Sequence, residues 1–232
     1  MQEDSLLIQP VFELGPVQLT NTVLTTWIVI AVIGGFVWLA TRRLQMNPGR
    51  LQTLIEAIVI TIEESIRNIA PQYVQQIMPF IGSLWLFLVI ANLVGLIPGM
   101  HSPTRDLSAT SAIAVLVFLS VHWYGIRIQG LKSYLQHYLK PSPILLPFHL
   151  LSEVTRTIAL AVRLFGNMMS LEMVALLILM VAGFLMPVPI LMLHIVEALV
   201  QAYIFGMLAL IYIAGGLQTQ QPREQTTGEN HD

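Results

Sequence analysis

Six side chains in one long apolar run carry most of the chemistry in this sequence: Glu153, Arg156, Arg163, Asn167, Ser170 and Glu172, all between Phe148 and Leu185. A run of that length reads as a membrane helix. An arginine near its centre costs about 2.5–3.5 kcal/mol on insertion scales, so such a residue faces protein or water. Arg163 has no acidic residue at i+3 or i+4, and Glu153 lies ten positions away. Its guanidinium stays protonated and calls for a carboxylate supplied from elsewhere. At about 100° per residue, His149, Glu153, Arg156, Arg163, Asn167 and Ser170 share an arc of roughly 100°, whereas Glu172 projects to another side. A helix surrounded by lipid cannot carry that stripe; it presses on a partner or lines water. Asn167 and Ser170, taken singly, fit interhelical hydrogen-bond glue equally well, and Arg156, near one end, fits snorkelling.

The next apolar run adds His194, Glu197 and Gln201 at spacings of three and four, one face of a helix. Histidine titrates near neutral pH. Across an antiparallel hairpin, Glu172, His194 and Glu197 form a path that passes protons or leads water inward from one surface. Glu153 and His149 do the same from the other. The two paths end on opposite sides of Arg163, offset rather than continuous. A continuous polar pore would short-circuit the membrane potential. Two dead-end half-paths move an ion only if a carrier shuttles between them. That carrier must bring a carboxylate that is neutral in lipid and ionised beside Arg163. No such mobile element exists in this sequence, so it belongs to a partner subunit.

The elements that position these residues follow from composition. The chain is 55% hydrophobic and 10% charged, against about 25% charged in an ordinary soluble domain. The apolar residues fall in blocks, which predicts an all-α polytopic membrane protein. Five spans are expected, at about 22–40, 78–98, 107–126, 148–185 and 190–217. The fourth, as one helix of roughly 57 Å, is nearly twice a hydrocarbon core of about 30 Å, so the last two spans form a long, tilted antiparallel hairpin. The stretch from Leu51 to Ala70 carries Glu56, Glu63, Glu64 and Arg67. It is too charged to span and reads as an interfacial amphipathic helix or a connector. No cysteine is present, which removes disulfides and thiolate chemistry. The net charge of -2 says nothing about nucleic acid, because the basic residues are spread among loops and one helix interior, and no nucleic-acid partner is expected.

Basic residues set the orientation. Arg42, Arg43, Arg50 and Arg67 follow the first span, and Arg127, Lys132 and Lys140 the third, whereas Arg105 alone follows the second. The chain therefore divides into an extracytoplasmic N-terminal segment (1–21), a membrane domain (22–217) and a polar cytoplasmic tail (218–232). Met1-Gln2-Glu3-Asp4 is acidic where a signal peptide is basic, so the first span reads as retained.

The motif Arg163-Leu164-Phe165-Gly166-Asn167-Met168, Glu172 nine residues on, and His194 with Gln201-Ala202-Tyr203-Ile204-Phe205 together resemble subunit a of F-type ATP synthases. Asn92-Leu93-Val94-Gly95-Leu96-Ile97-Pro98, Ser102-Pro103-Thr104 and Asp106-Leu107-Ser108 extend the resemblance, which covers about 80–216. It implies a stator in a bacterial plasma (inner) membrane, without a cofactor and not itself catalytic, that flanks a ring of c subunits beside a peripheral-stalk b subunit. Arg163 would oppose each ring carboxylate. Glu172, His194, Asn167 and Gln201 would line the outer half-channel and Glu153 the cytoplasmic one. The ion-selective site would lie on the ring, leaving H⁺ and Na⁺ both open. Three departures stand out: Arg156-Thr157-Ile158-Ala159 lacks the family's usual Pro and Ser, His149 replaces a carboxylate, and Glu197 is an additional acid. The alternatives fit less well. A stand-alone secondary transporter or channel predicts repeats that are absent, an intramembrane protease lacks its His-Glu-x-x-His or Gly-x-Ser-x-Gly site, and a bare scaffold leaves Arg163 unexplained.

Overall fold

The computed structural model describes residues 10–14, 17–42, 49–97, 102–131, 146–182 and 188–218. Helix dominates, as the block pattern predicts. Among the described residues the α-helices are α1 (Asn21–Thr41), α2 (Arg50–Ile69), α3 (Val74–Val94), α4 (Leu107–Gln129), α5 (Leu146–Ala182) and α6 (Val188–Gln218). All except α2 are long and apolar enough to cross a membrane. The expected tail beyond residue 218 and most of the connector between α4 and α5 lie outside the described residues. In the segment ahead of α1, β1 (Pro10–Leu14) and β2 (Val17–Thr20) pair antiparallel, with Leu14 opposite Val17. The sequence reading assigned no structure there.

At 37 residues α5 is about 55 Å long, and α6 at 31 residues about 46 Å. Both exceed a bilayer core of about 30 Å, in line with the long final hairpin. α6 is the hub of the bundle. Ala198, Ala202, Gly206 and Ala209 form a fully buried small-residue seam that lets α3 approach closely. Trp85 of α3 lies flat against Tyr203, ring centroids 6.0 Å apart, and its indole N–H donates to the Tyr203 carbonyl at 3.3 Å. A Cβ on Gly206 would fall 1.8 Å from that indole nitrogen, so this approach requires glycine.

α2 folds back on α3. It turns Ile62, Ile66 and Ile69 inward and leaves Glu56, Glu64 and Arg67 exposed, the amphipathic arrangement its sequence predicts. α4 is started by Asp106, whose carboxylate accepts from the Ser108 N–H at 2.9 Å, and it ends at Gly130, whose φ of 81° suits glycine. The loop between α3 and α4 is held by buried hydrogen bonds. Asn92 donates to the Ala198 carbonyl of α6 (3.1 Å) and accepts from the Thr104 hydroxyl (2.8 Å); Ser102 donates to the Ala91 carbonyl (2.8 Å). Asn92 and Thr104 have no exposed surface. This network fixes the single 3₁₀ turn Pro103–Arg105 against α3 and α6.

Candidate functional site

The buried stripe of α5 consists of Leu160, Ala161, Leu164, Met168 and Leu171. The polar arc read from the sequence runs along one edge of that stripe, not down its middle. Its members therefore meet different neighbours. Glu153 dips toward α4, where its carboxylate lies 3.4 Å from His122 Nε2. Asn167 dips toward α6, where its amide donates to the Gln201 side-chain oxygen at 2.6 Å. Arg163 and Ser170 remain on the exposed flank. Arg156, also exposed, reaches over the Tyr212 ring of α6 at 5.7 Å. The backbone of His149 is part of α5, but its side chain lies outside the described residues.

Two polar clusters therefore sit along α5 with Arg163 between them. Glu153 is ten residues before Arg163 and Glu172 nine after, about 15 and 13.5 Å along the axis. In the second cluster, His194 is buried against α5, and both Glu172 and Glu197 lie within electrostatic reach of its ring. The Nε2 of His194 and the side-chain nitrogen of Gln201 are buried without a hydrogen-bond partner among the described residues. Two such orphaned nitrogens, one helical repeat of seven apart on α6, mark a place where water or an ion belongs.

The sequence reading placed Glu172 opposite His194 and Glu197. The structure adds a stronger neighbour: Arg105, from the turn before α4, donates to the Glu172 carboxylate at 2.5 Å. The sequence reading used Arg105 only as a topological charge. A partner 67 positions away has no local signature. His122 was also missed. Its signal was available, because an ionisable residue inside a membrane span marks a functional site by default.

Arg163 differs from all of these. Among the described residues it has no ion-pair or hydrogen-bond partner, and it stands on the outward flank of α5 beside Arg156, Ala159, Gly166 and Ser170, while the exposed apolar side chains of Val154, Ile158, Val162 and Met169 lie about 100° or more further round the helix. Only 17% of the membrane-length part of α5 is buried inside the chain, against half of α6. α5 is thus packed on one face and bare on the rest, with Arg163 on the flank where the bare surface meets the packed stripe.

These features define a class: a polytopic α-helical membrane protein whose longest helix presents an unpaired arginine between two intramembrane polar clusters. The particular family follows from comparison. The chain belongs to the ATP synthase A chain family, whose match covers residues 23–214. It is 58% identical to ATP synthase subunit a 2 of Pelobacter propionicus over 94% of this chain and 98% of that protein. It is 61% identical to ATP synthase subunit a 1 of Hahella chejuensis over 90% of both. It is also 50% identical to ATP synthase subunit a of Legionella pneumophila over 97% and 98%.

Proposed function

We propose that this chain is the ion-conducting stator subunit of a rotary ATP synthase, seated in a bacterial plasma membrane with its N-terminus outside and its C-terminus in the cytoplasm. Its membrane domain offers two offset half-channels. Glu172, His194, Glu197, Asn167 and Gln201 serve the outer one, and Glu153, with His149, the cytoplasmic one. Ser170 lies on the ring-facing flank between Asn167 and Glu172. Arg163 stands between the paths and meets each carboxylate of a passing c-subunit ring. The chain itself carries no ATP chemistry; its contribution is electrostatic and geometric.

The observation that carries this reading is Arg163 exposed, without a partner among the described residues, on the outward flank of a membrane-length helix. A guanidinium left against acyl chains costs about 2.5–3.5 kcal/mol, and a carboxylate arriving from a neighbouring helix removes that cost. Because the arginine cannot lose its proton, a passing acid must ionise beside it, which prevents a protonated or Na⁺-loaded carboxylate from slipping straight past. Each ring carboxylate then leaves its ion on one side and takes another on the other. The orphaned nitrogens of His194 and Gln201 supply polar sites for water in the outer path, and Arg105 holds the Glu172 carboxylate in place.

Arg163→Ala tests the proposal. In the assembled complex, ATP-driven ion pumping should fall to background while the c-ring, the b subunit and the ATPase head still co-purify. Pumping near the wild-type rate would overturn the role of Arg163. Transport by the purified chain alone would return the stand-alone transporter reading.

A further inference from the structure

A small cavity of about 40 Å³ lies between α4, α5 and α6, lined among others by Phe118, His122, Glu153, Arg156, Thr157 and Tyr212. A water needs about 10–15 Å³ by this measure, so the cavity has room for about three, with polar groups on three helices to hold them. The charged and titratable groups facing it are His122 from α4, Glu153 and Arg156 from α5, and Tyr212 from α6. The cavity's α5 lining, from Glu153 to Leu160, lies about 5–15 Å along the axis from Arg163, on the side of the α4–α5 connection.

The histidine geometry restricts what this cavity can do. His122 Nδ1 lies 2.9 Å from the Phe118 carbonyl oxygen. A carbonyl only accepts, so Nδ1 carries a hydrogen and Nε2 is the variable position. Nε2 is the atom that faces Glu153 at 3.4 Å. With a proton on Nε2 the two groups form a neutral ion pair. Without it, the carboxylate holds a net negative charge beside a water-sized space, and a lone pair faces it. Packing fixes the ring further, because Phe118 and His122 lie 4.4 Å apart between centroids.

We propose that this cavity is a hydrated cation-exchange pocket on the cytoplasmic path, in which Glu153 takes up the carried cation and His122 is the positioning residue that sets the carboxylate's charge. The inference deepens the half-channel reading and rests on it. Loss of the Nε2 proton to pocket water leaves the His122–Glu153 pair at net charge -1, and a proton or Na⁺ entering the pocket restores neutrality. Arg156, drawn aside over Tyr212, lines the rim and keeps a second cation from lodging there.

The natural absence of cysteine makes a direct test available, since one introduced thiol is the only thiol in this chain. In inverted membrane vesicles holding the complete complex, a water-soluble methanethiosulfonate should label Thr157→Cys about tenfold faster than Ile158→Cys. Only a hydrated thiol ionises readily, and Ile158 points outward, 57% exposed. Protection of Thr157→Cys by Na⁺ at constant pH assigns Na⁺ as the occupant; labelling at constant pH that Na⁺ leaves unchanged assigns the proton. Equal labelling of the two variants would overturn the pocket. In parallel, His122→Gln should slow ATP-driven pumping about tenfold and change the shape of its pH profile, and exchanging the two residues (His122→Glu with Glu153→His) should restore most of the rate. Unchanged rate and profile in both His122→Gln and Glu153→Gln would also overturn it. A dry pocket in a complex that Arg163→Ala silences refutes this inference alone. A wet pocket in a complex that Arg163→Ala leaves active refutes the stator role instead.

Discussion

Gly206→Ala is the substitution whose consequence the bundle specifies most tightly. The added Cβ would stand 1.8 Å from the Trp85 indole nitrogen, where ordinary contact begins at 3.4 Å. About 1.6 Å must therefore be found, and the colliding group is a ring, not a flexible chain end. Trp85 is stacked on Tyr203 and bonded to its carbonyl, so sliding the indole forfeits both contacts. Moving α3 away instead opens the seam at Ala198, Ala202 and Ala209. A radial gap of about 0.5–1 Å already loses a quarter to a half of each dispersion contact. Overpacking of this kind costs about 1–3 kcal/mol and here should reach the upper end. The assay is fluorescence-detected size exclusion of the detergent-solubilised complex after a heating series. Gly206→Ala should lower the midpoint clearly, and Trp85→Leu in the same chain should recover much of the loss by vacating the space. A Gly206→Ala complex as stable as wild type, or one that Trp85→Leu only worsens, would refute the close-approach argument.

Two further outcomes concern the ion path. Arg105→Gln should leave assembly intact and slow pumping severalfold, because Glu172 loses the cation that holds it; restoration by Arg105→Lys to an intermediate rate, read from initial fluorescence quenching in vesicles, separates charge from the two-pronged geometry of arginine. Glu172→Gln and Glu197→Gln should each slow transport, and more together than singly, because both carboxylates act on the same buried histidine; unchanged flux in the double variant removes both from the path.

Single-element properties were open to reading from the chain. Each span announces itself by about 18 or more apolar residues, and the excess length of α5 and α6 is a matter of counting. Helical periodicity likewise put the polar groups of α5 on one arc. What periodicity cannot give is which neighbour each member of the arc meets. Asn167 finds Gln201, Glu153 finds His122 and Arg163 finds no partner among the described residues, because α6 borders that edge at one point, α4 at another and the stretch between is bare. The Arg105–Glu172 pair was illegible for the same reason: it depends on a loop that Asn92, Ser102 and Thr104 pin to two helices. The hairpin of β1 and β2 had a readable cue, the breaker pair Gly15-Pro16 between Val11-Phe12-Glu13-Leu14 and Val17-Gln18-Leu19.

The undressed flank of α5 has a consequence for the life of the protein before assembly. A newly inserted copy would hold its guanidinium in oil, a burden of about 2.5–3.5 kcal/mol that disfavours the buried register by roughly two orders of magnitude. An orphan copy should therefore ride shallow, thin the bilayer around it or be drawn out by membrane proteases. Docking on an acidic neighbour ends that exposure, so one charge both serves the finished machine and penalises subunits left without one.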